Sequence, residues 1–158
     1  MKYSVTLLFS LFSIYLSAQY QINSYKGQDQ SPNTKAPNMH YLGSAWLKGL
    51  VAPQDDLNVG ITLATFSANS TLDWHQHETG QVLIIVAGND YYQERGKEVV
   101  ILKEGDVLKC DKNIEHWHSS TPDSDVSYIA IYGGGSPTTW TEKVTQEYYD
   151  TIQVATPK

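Results

Sequence analysis

The chain of 158 residues contains one cysteine, Cys110, so no intramolecular disulfide can form and stability must come from packing. Cys110 follows the apolar pair Val107-Leu108 by two residues and reads as a small core residue rather than a nucleophile. No cluster of Lys or Arg occurs anywhere, and 11 basic residues face 17 acidic ones, which excludes nucleic acid as a partner. There is no internal repeat. No stretch after residue 18 is apolar enough to cross a bilayer, and no cysteine stands directly after the first apolar segment, so neither a membrane span nor a lipoprotein anchor is expected.

What is present begins with residues 1–18, which read as a secretory signal peptide. Lys2 supplies the charged end, Val5 to Leu16 a short apolar run, and Ser17-Ala18 a small-residue cleavage site. The expected product is exported, periplasmic or secreted. Setting aside Lys2, one of the 11 basic residues, leaves 10 against 17 acidic, formally −7. The remaining chain of about 140 residues suits one domain with a real core and is too short for two. Residues 19–40, rich in Gln, Asn, Ser and Pro, read as a flexible N-terminal arm, 41–150 as the folded domain, and 151–158 as a tail.

Within the domain, short β-branched and aromatic segments alternate with turn residues. Strands are predicted over Val59 to Phe66, Gln81 to Val86, Tyr91 to Glu94, Val99 to Leu102, Val107 to Cys110, His116 to Ser119 and Val126 to Tyr132. Gly88-Asn89-Asp90 and Arg95-Gly96-Lys97 read as the turns between three of them. Segments of this length and interval predict an all-β fold, an antiparallel sandwich or barrel. After Gly133-Gly134-Gly135, Thr145 offers an N-cap and Glu147 an acid in the first turn of a short C-terminal helix.

Of five histidines, four stand in two His-x-His pairs, His75/His77 and His116/His118. Alternate residues of an extended strand share a face, so each pair projects two imidazoles in one direction. Gln81 keeps the parity of His77 if the chain stays extended between them. Polar donors of this kind, converging from two strands, point to a metal site. Imidazole suits Mn, Fe, Co, Ni, Cu or Zn, so the residue types do not choose among them.

These residues resemble the two cupin motifs. Asn69, His75, His77, Gln81 and Gly88 match the first in spacing, and Gly105, Asp111, Asn113 and His116 the second, with Asp111 and Asn113 where Pro and Gly are usual. Asn tolerates the left-handed conformation that Gly supplies, whereas Asp111 lacks proline's fixed φ. The segment from Tyr41 to Tyr149 is similar to a subgroup of single-domain bacterial cupins that includes manganese-dependent hydroxynitrile lyases. Trp74-His75-Gln76-His77, Gly80-Gln81, His116-Trp117-His118 and Trp140-Thr141-Glu142-Lys143-Val144-Thr145 carry that similarity.

The resemblance implies a small cupin barrel, with His75, His77, Gln81 and His116 holding one divalent transition metal. Manganese is favoured, with Fe, Ni, Co or Zn as alternatives. It implies His118 and Tyr128 as the catalytic pair, His118 handling cyanide or its proton with a pKa near neutrality. Tyr128 occupies a place where the lyases carry histidine, and a phenol is a poor base. By the same alignment Thr62, Ala64 and Phe66 form the opposite cavity wall. The four tryptophans, Trp46, Trp74, Trp117 and Trp140, read as core and interface aromatics. Three functions stay open: a metal-dependent lyase acting on a small hydroxylated or carbonyl substrate, a metal-dependent dioxygenase, and a non-catalytic module for a carbohydrate or metal. A homodimer or homotetramer is expected, because small barrels of this kind cover their edge strands by pairing.

Overall fold

The computed structural model of the chain describes residues 34–36, 40–53, 56–135 and 137–152. The expected signal peptide, most of the arm and residues 153–158 lie outside the described residues. Twelve strands precede one short helix among those described. They are β1 (Thr34–Lys35), β2 (Tyr41–Leu42), β3 (Ala45–Val51), β4 (Val59–Phe66), β5 (Thr71–Leu72), β6 (His75–His77) and β7 (Gln81–Glu94). Then come β8 (Val100–Lys103), β9 (Val107–Cys110), β10 (His116–Ser120), β11 (Val126–Gly133), β12 (Thr138–Trp140) and helix α1 (Gln146–Asp150). No helix among the described residues is long and apolar enough to cross a membrane.

All strand pairs are antiparallel, and the strands form a nearly closed barrel made of two sheets that share β7. In one sheet the order is β1-β3-β4-β11-β7-β9; in the other, β7 continues between β8 and β10, and β10 pairs along its far edge with β5 and β6. Strand β2 extends β5, and β12 extends β6. The sheet therefore begins inside the segment read as an arm, since Thr34 and Lys35 pair with Leu47 and Trp46 of β3 and Ala36 is buried.

The predicted turn at Gly88-Asn89-Asp90 is instead a bend within one 14-residue strand. Val86 is an extra residue: Tyr128 of β11 pairs with Ile85 while Ser127 pairs with Ala87. Gly88 follows at φ 76, and a Cβ there would meet the Asp125 carbonyl oxygen at 1.8 Å. A bulge followed by a glycine turns the strand from one sheet into the other without breaking it. Glycine and Asn-Asp mark a turn in isolation, but pairing on both sides overrides that local preference.

Inside, Ala64, Phe66, Leu83, Ile85, Tyr92, Cys110, Val126, Tyr128 and Ala130 form the core, all from inward-facing alternate positions. A second apolar cluster lies on the outer face of the sheet containing β10: Trp74, Tyr91, Val99, Trp117, Val144 and Tyr149, with Ile152 against it. This is where α1 docks. Thr145 caps it, its side chain accepting from the Tyr148 amide at 3.1 Å, as the sequence predicts. The C-terminal segment thus backs the sheet that carries the histidines.

Candidate metal centre

His75 on β6 and His116 on β10 are directly paired across the strands, with ring centroids 4.4 Å apart. His77 and His118, two residues further along the same strands, turn inward as strand parity requires: His77 lies 5.1 Å from His75 and 5.5 Å from His116, and His118 lies 5.4 Å from His75. All four are buried, as is Gln81 at the start of β7. Donor atoms of His75, His116 and His118 lie within 4.8 Å of one another, so the tightest triad includes His118 in place of His77.

The outer nitrogens are fixed by the backbone. His75 Nδ1 donates to the Asp73 carbonyl and His116 Nδ1 to the Ile114 carbonyl, each at 2.8 Å. With Nδ1 carrying the proton, each Nε2 presents a lone pair to the interior, the arrangement a histidine ligand needs. His116 Nε2 and His118 Nδ1 are buried without a hydrogen-bond partner, and His77 Nε2 and Gln81 Oε1 make no well-formed hydrogen bond, Gln81 lying close enough to His77 for a weak one. Four acceptor-capable atoms left bare or weakly paired in one small space fit a cation better than they fit each other, because an unpaired buried polar atom costs about 1–3 kcal/mol.

Electrostatics agree. Burial, reinforced by His116, lowers the His75 pKa well below 6.5 and that of His77 to about 4; burial also lowers His116. His118 is pushed well below 6.5 by burial and then by His75, His116 and His77. Burial and the three neighbouring imidazoles thus favour the uncharged form of His118, on the low side of the near-neutral pKa expected from the resemblance. Neutral imidazoles are the metal-binding form.

Around this cluster, His118 meets Tyr128 edge to face at 5.0 Å, and Tyr128 stacks on Phe66 at 5.9 Å. Burial, then Asp90 and Cys110, raise the Tyr128 pKa well above 10, so its phenol keeps its proton and can donate a hydrogen bond but not act as a base. Thr62 and Ala64 pair with Ala130 and Tyr128, placing them with Phe66 on the opposite wall, and Thr62 Oγ1 meets the Tyr132 hydroxyl at 3.1 Å. Cys110 is buried and its thiol is pushed up to about 12, as suits an inert core residue. Trp74 and Trp117 are buried in the outer cluster; Trp46 and Trp140 are half-buried, and Trp140 stacks on His40 at 4.4 Å and lies tilted against His75 at 5.0 Å.

Three supporting features had no signal in the sequence reading. Asp73 ties the histidine strand to the C-terminal segment, accepting from the Val144 amide at 3.1 Å. Arg95 lies 3.7 Å over the Trp74 ring and grips Glu115 with two hydrogen bonds, at 2.7 and 2.8 Å, next to His116. Glu94, opposite His116, accepts from Tyr92 at 3.2 Å and pairs with Lys97. Reading β7 as one strand through Gly88 would have placed Asp90, Tyr92 and Glu94 on the face of the histidines.

Comparison with known proteins agrees with this architecture. The profile of the cupin domain family matches residues 62–132. The chain is 31% identical over 117 residues to an (R)-mandelonitrile lyase of Granulicella tundricola, spanning 73% of this chain and 89% of that one. A cupin-like protein of Thermotoga maritima superposes with a TM-score of 0.72 at 34% identity, over 76% of this chain and 92% of that one. A predicted oxalate decarboxylase of Thermotoga maritima shares the fold at a TM-score of 0.54 and 22% identity, over 59% of this chain and 83% of that one. With this overall similarity and the inward-facing histidines on β6 and β10, the chain belongs to the cupin family.

Proposed function

We propose that this cupin is an exported, metal-dependent lyase that cleaves or forms a C–C bond next to the oxygen of a small hydroxylated or carbonyl substrate. The observation that carries the reading is the set of buried donors without well-formed hydrogen bonds. His75, His77, Gln81 and His116 would hold one divalent transition metal, which we take to be manganese. When bound, the metal supplies Lewis-acid polarisation of a substrate oxygen. A neutral amide from Gln81, in place of a carboxylate, leaves the ion's positive charge uncompensated by the protein.

The chain's own groups then divide the work. His118, uncharged and with Nδ1 free, accepts the hydroxyl proton of a cyanohydrin-type substrate. As the C–C bond breaks, its electron pair leaves with the cyanide carbon, which recovers that proton from His118; the products are a carbonyl compound and hydrogen cyanide. Tyr128, held protonated beside His118, donates a hydrogen bond but does not take a proton. The (R)-mandelonitrile lyase relative supports this chemistry.

The test is metal analysis of the purified protein together with turnover of a small cyanohydrin panel under nitrogen and under air, for wild type and His118→Ala. Bound metal and oxygen-independent cleavage that the substitution abolishes are expected. Turnover that consumes oxygen would replace the lyase by a dioxygenase, and bound metal with ligand affinity untouched by His118→Ala would leave a binding module.

A further inference from the structure

Asp90 lies in the part of β7 just beyond the bend at Gly88, opposite Ser120 of β10 and Leu102 of β8. It shares the inward face with Tyr92 and Glu94, which stand opposite His118 and His116. Along β7 and β10 the interior is therefore layered: Glu94 with His116, then Tyr92 with His118, then Asp90 with Ser120. Each layer is about 7 Å from the next, two residues of strand. Asp90 has 0% of its surface exposed, and neither carboxylate oxygen makes a well-formed hydrogen bond, the Ser119 backbone offering only a weak one. It lies within electrostatic reach of Tyr128 and Cys110, both inward-facing. None of the chemistry argued above uses it.

A carboxyl group in such a place, beneath Tyr128 and beyond the histidines, is costly unless something answers it. We propose that Asp90 is the far-end anchor of the substrate cavity, binding a second oxygen of a neutral molecule whose first polar group lies among the histidines. Burial raises the Asp90 pKa well above 3.8, against a smaller pull from the Ser119 backbone, so the acid is neutral and offers both a donor and an acceptor. A hydroxyl or carbonyl oxygen satisfies it; a carboxylate at that end would lose its hydration with no cation there to answer its charge. An apolar end would leave both oxygens without a good partner, the situation in which polar sites discriminate most strongly. The substrate class is thus narrowed to small uncharged compounds carrying oxygens at both ends of a body roughly 7 Å long if the first oxygen lies at the His118 layer, and at most about 14 Å if it lies at the His116 layer. This rests on the lyase reading for the near end only.

The experiment compares binding of 4-hydroxybenzyl alcohol and benzyl alcohol, neither of which turns over as a cyanohydrin, by calorimetry on the protein as isolated. Wild type should prefer the hydroxylated probe by about ten-fold, the preference should vanish in Asp90→Leu, and it should persist within a few-fold in Asp90→Asn. Infrared spectra should show a protonated carboxylic acid band that Asp90→Asn removes and that 4-hydroxybenzyl alcohol shifts. Equal affinities in wild type, discrimination unchanged in Asp90→Asn and Asp90→Leu alike, or an acid band indifferent to the probe would each overturn the proposal. Loss of cyanohydrin turnover with probe discrimination intact would sink the lyase reading and leave this one standing.

Discussion

His75 and His116 face each other across the β6–β10 pair, each with its outer nitrogen locked onto a backbone carbonyl two residues back in the chain, Asp73 and Ile114. The tautomer of both rings is thereby set before any ligand arrives, and the cost of orienting them is met by folding.

Metal binding should consequently stabilise the fold by mass action. At a free metal concentration one hundred times Kd, wild type should gain about 2.7 kcal/mol in urea unfolding, and a chelator should reverse it. His116→Ala should bind less than one-tenth of an equivalent of metal and show no such gain. An equal gain in the variant would place the metal elsewhere.

The bend at Gly88 should be the least substitutable glycine of the barrel. Gly88 and Gly96 have φ values of 76 and 78, but a Cβ at Gly96 meets nothing within 4 Å whereas one at Gly88 meets the Asp125 oxygen at 1.8 Å. Gly96→Ala should therefore cost only the left-handed backbone penalty, about 1–2 kcal/mol. Gly88→Ala should add to that a displacement of β11 and lower stability by more than about 3 kcal/mol, with altered near-ultraviolet signals from Phe66 and Tyr128. Similar losses for the two variants would mean that the bend adjusts freely.

Stability of the chelated protein should rise with pH between about 4 and 6.5. In this window the unfolded chain protonates its histidines while the folded chain holds them neutral, so protons favour unfolding. For His77, lowered from 6.5 to about 4, the contribution is on the order of 3 kcal/mol as an upper value, complete above pH 6.5 and lost as pH falls. Asp90 acts with the opposite sign: above 3.8 the unfolded state ionises and the folded state does not, so stability drains as pH rises. Urea titrations at pH 4.5, 5.5 and 6.5 should show a positive slope that steepens in Asp90→Asn. A flat profile in both proteins would show the histidines to be solvated.

Much of this site was legible because strand parity is rigid. His75, His77, His116 and His118 needed only two short extended segments to share a face, and Asn113, at φ 59, adopts the conformation that its position in the second motif demands. Asp90 was hidden by its neighbours, since Gly-Asn-Asp announces a turn unless one knows that β8, β10 and β11 pair on either side of it. Strands β5, β6 and β12, two or three residues each, are too short to show any period, and Arg95, Glu115 and Trp74 meet only in three dimensions.

That last trio makes the loop before His116 a further point of control. Arg95 stacks on Trp74, binds Glu115 through two nitrogens and reaches Glu142 at 2.9 Å, and the Arg95 hydrogen bonds hold the Glu115 pKa down at about 2. Arg95 is 42% exposed, so the charge pairs are screened and the stacked, two-pronged geometry counts for more than the charge. Arg95→Ala should lower stability by about 1 kcal/mol, and Arg95→Lys, which keeps the charge but not the fork, should recover less than half of that. Because Glu115 adjoins His116, Arg95→Ala should also weaken metal affinity several-fold, on the scale of lost support around a ligand. Full rescue by lysine would show that charge alone holds the loop.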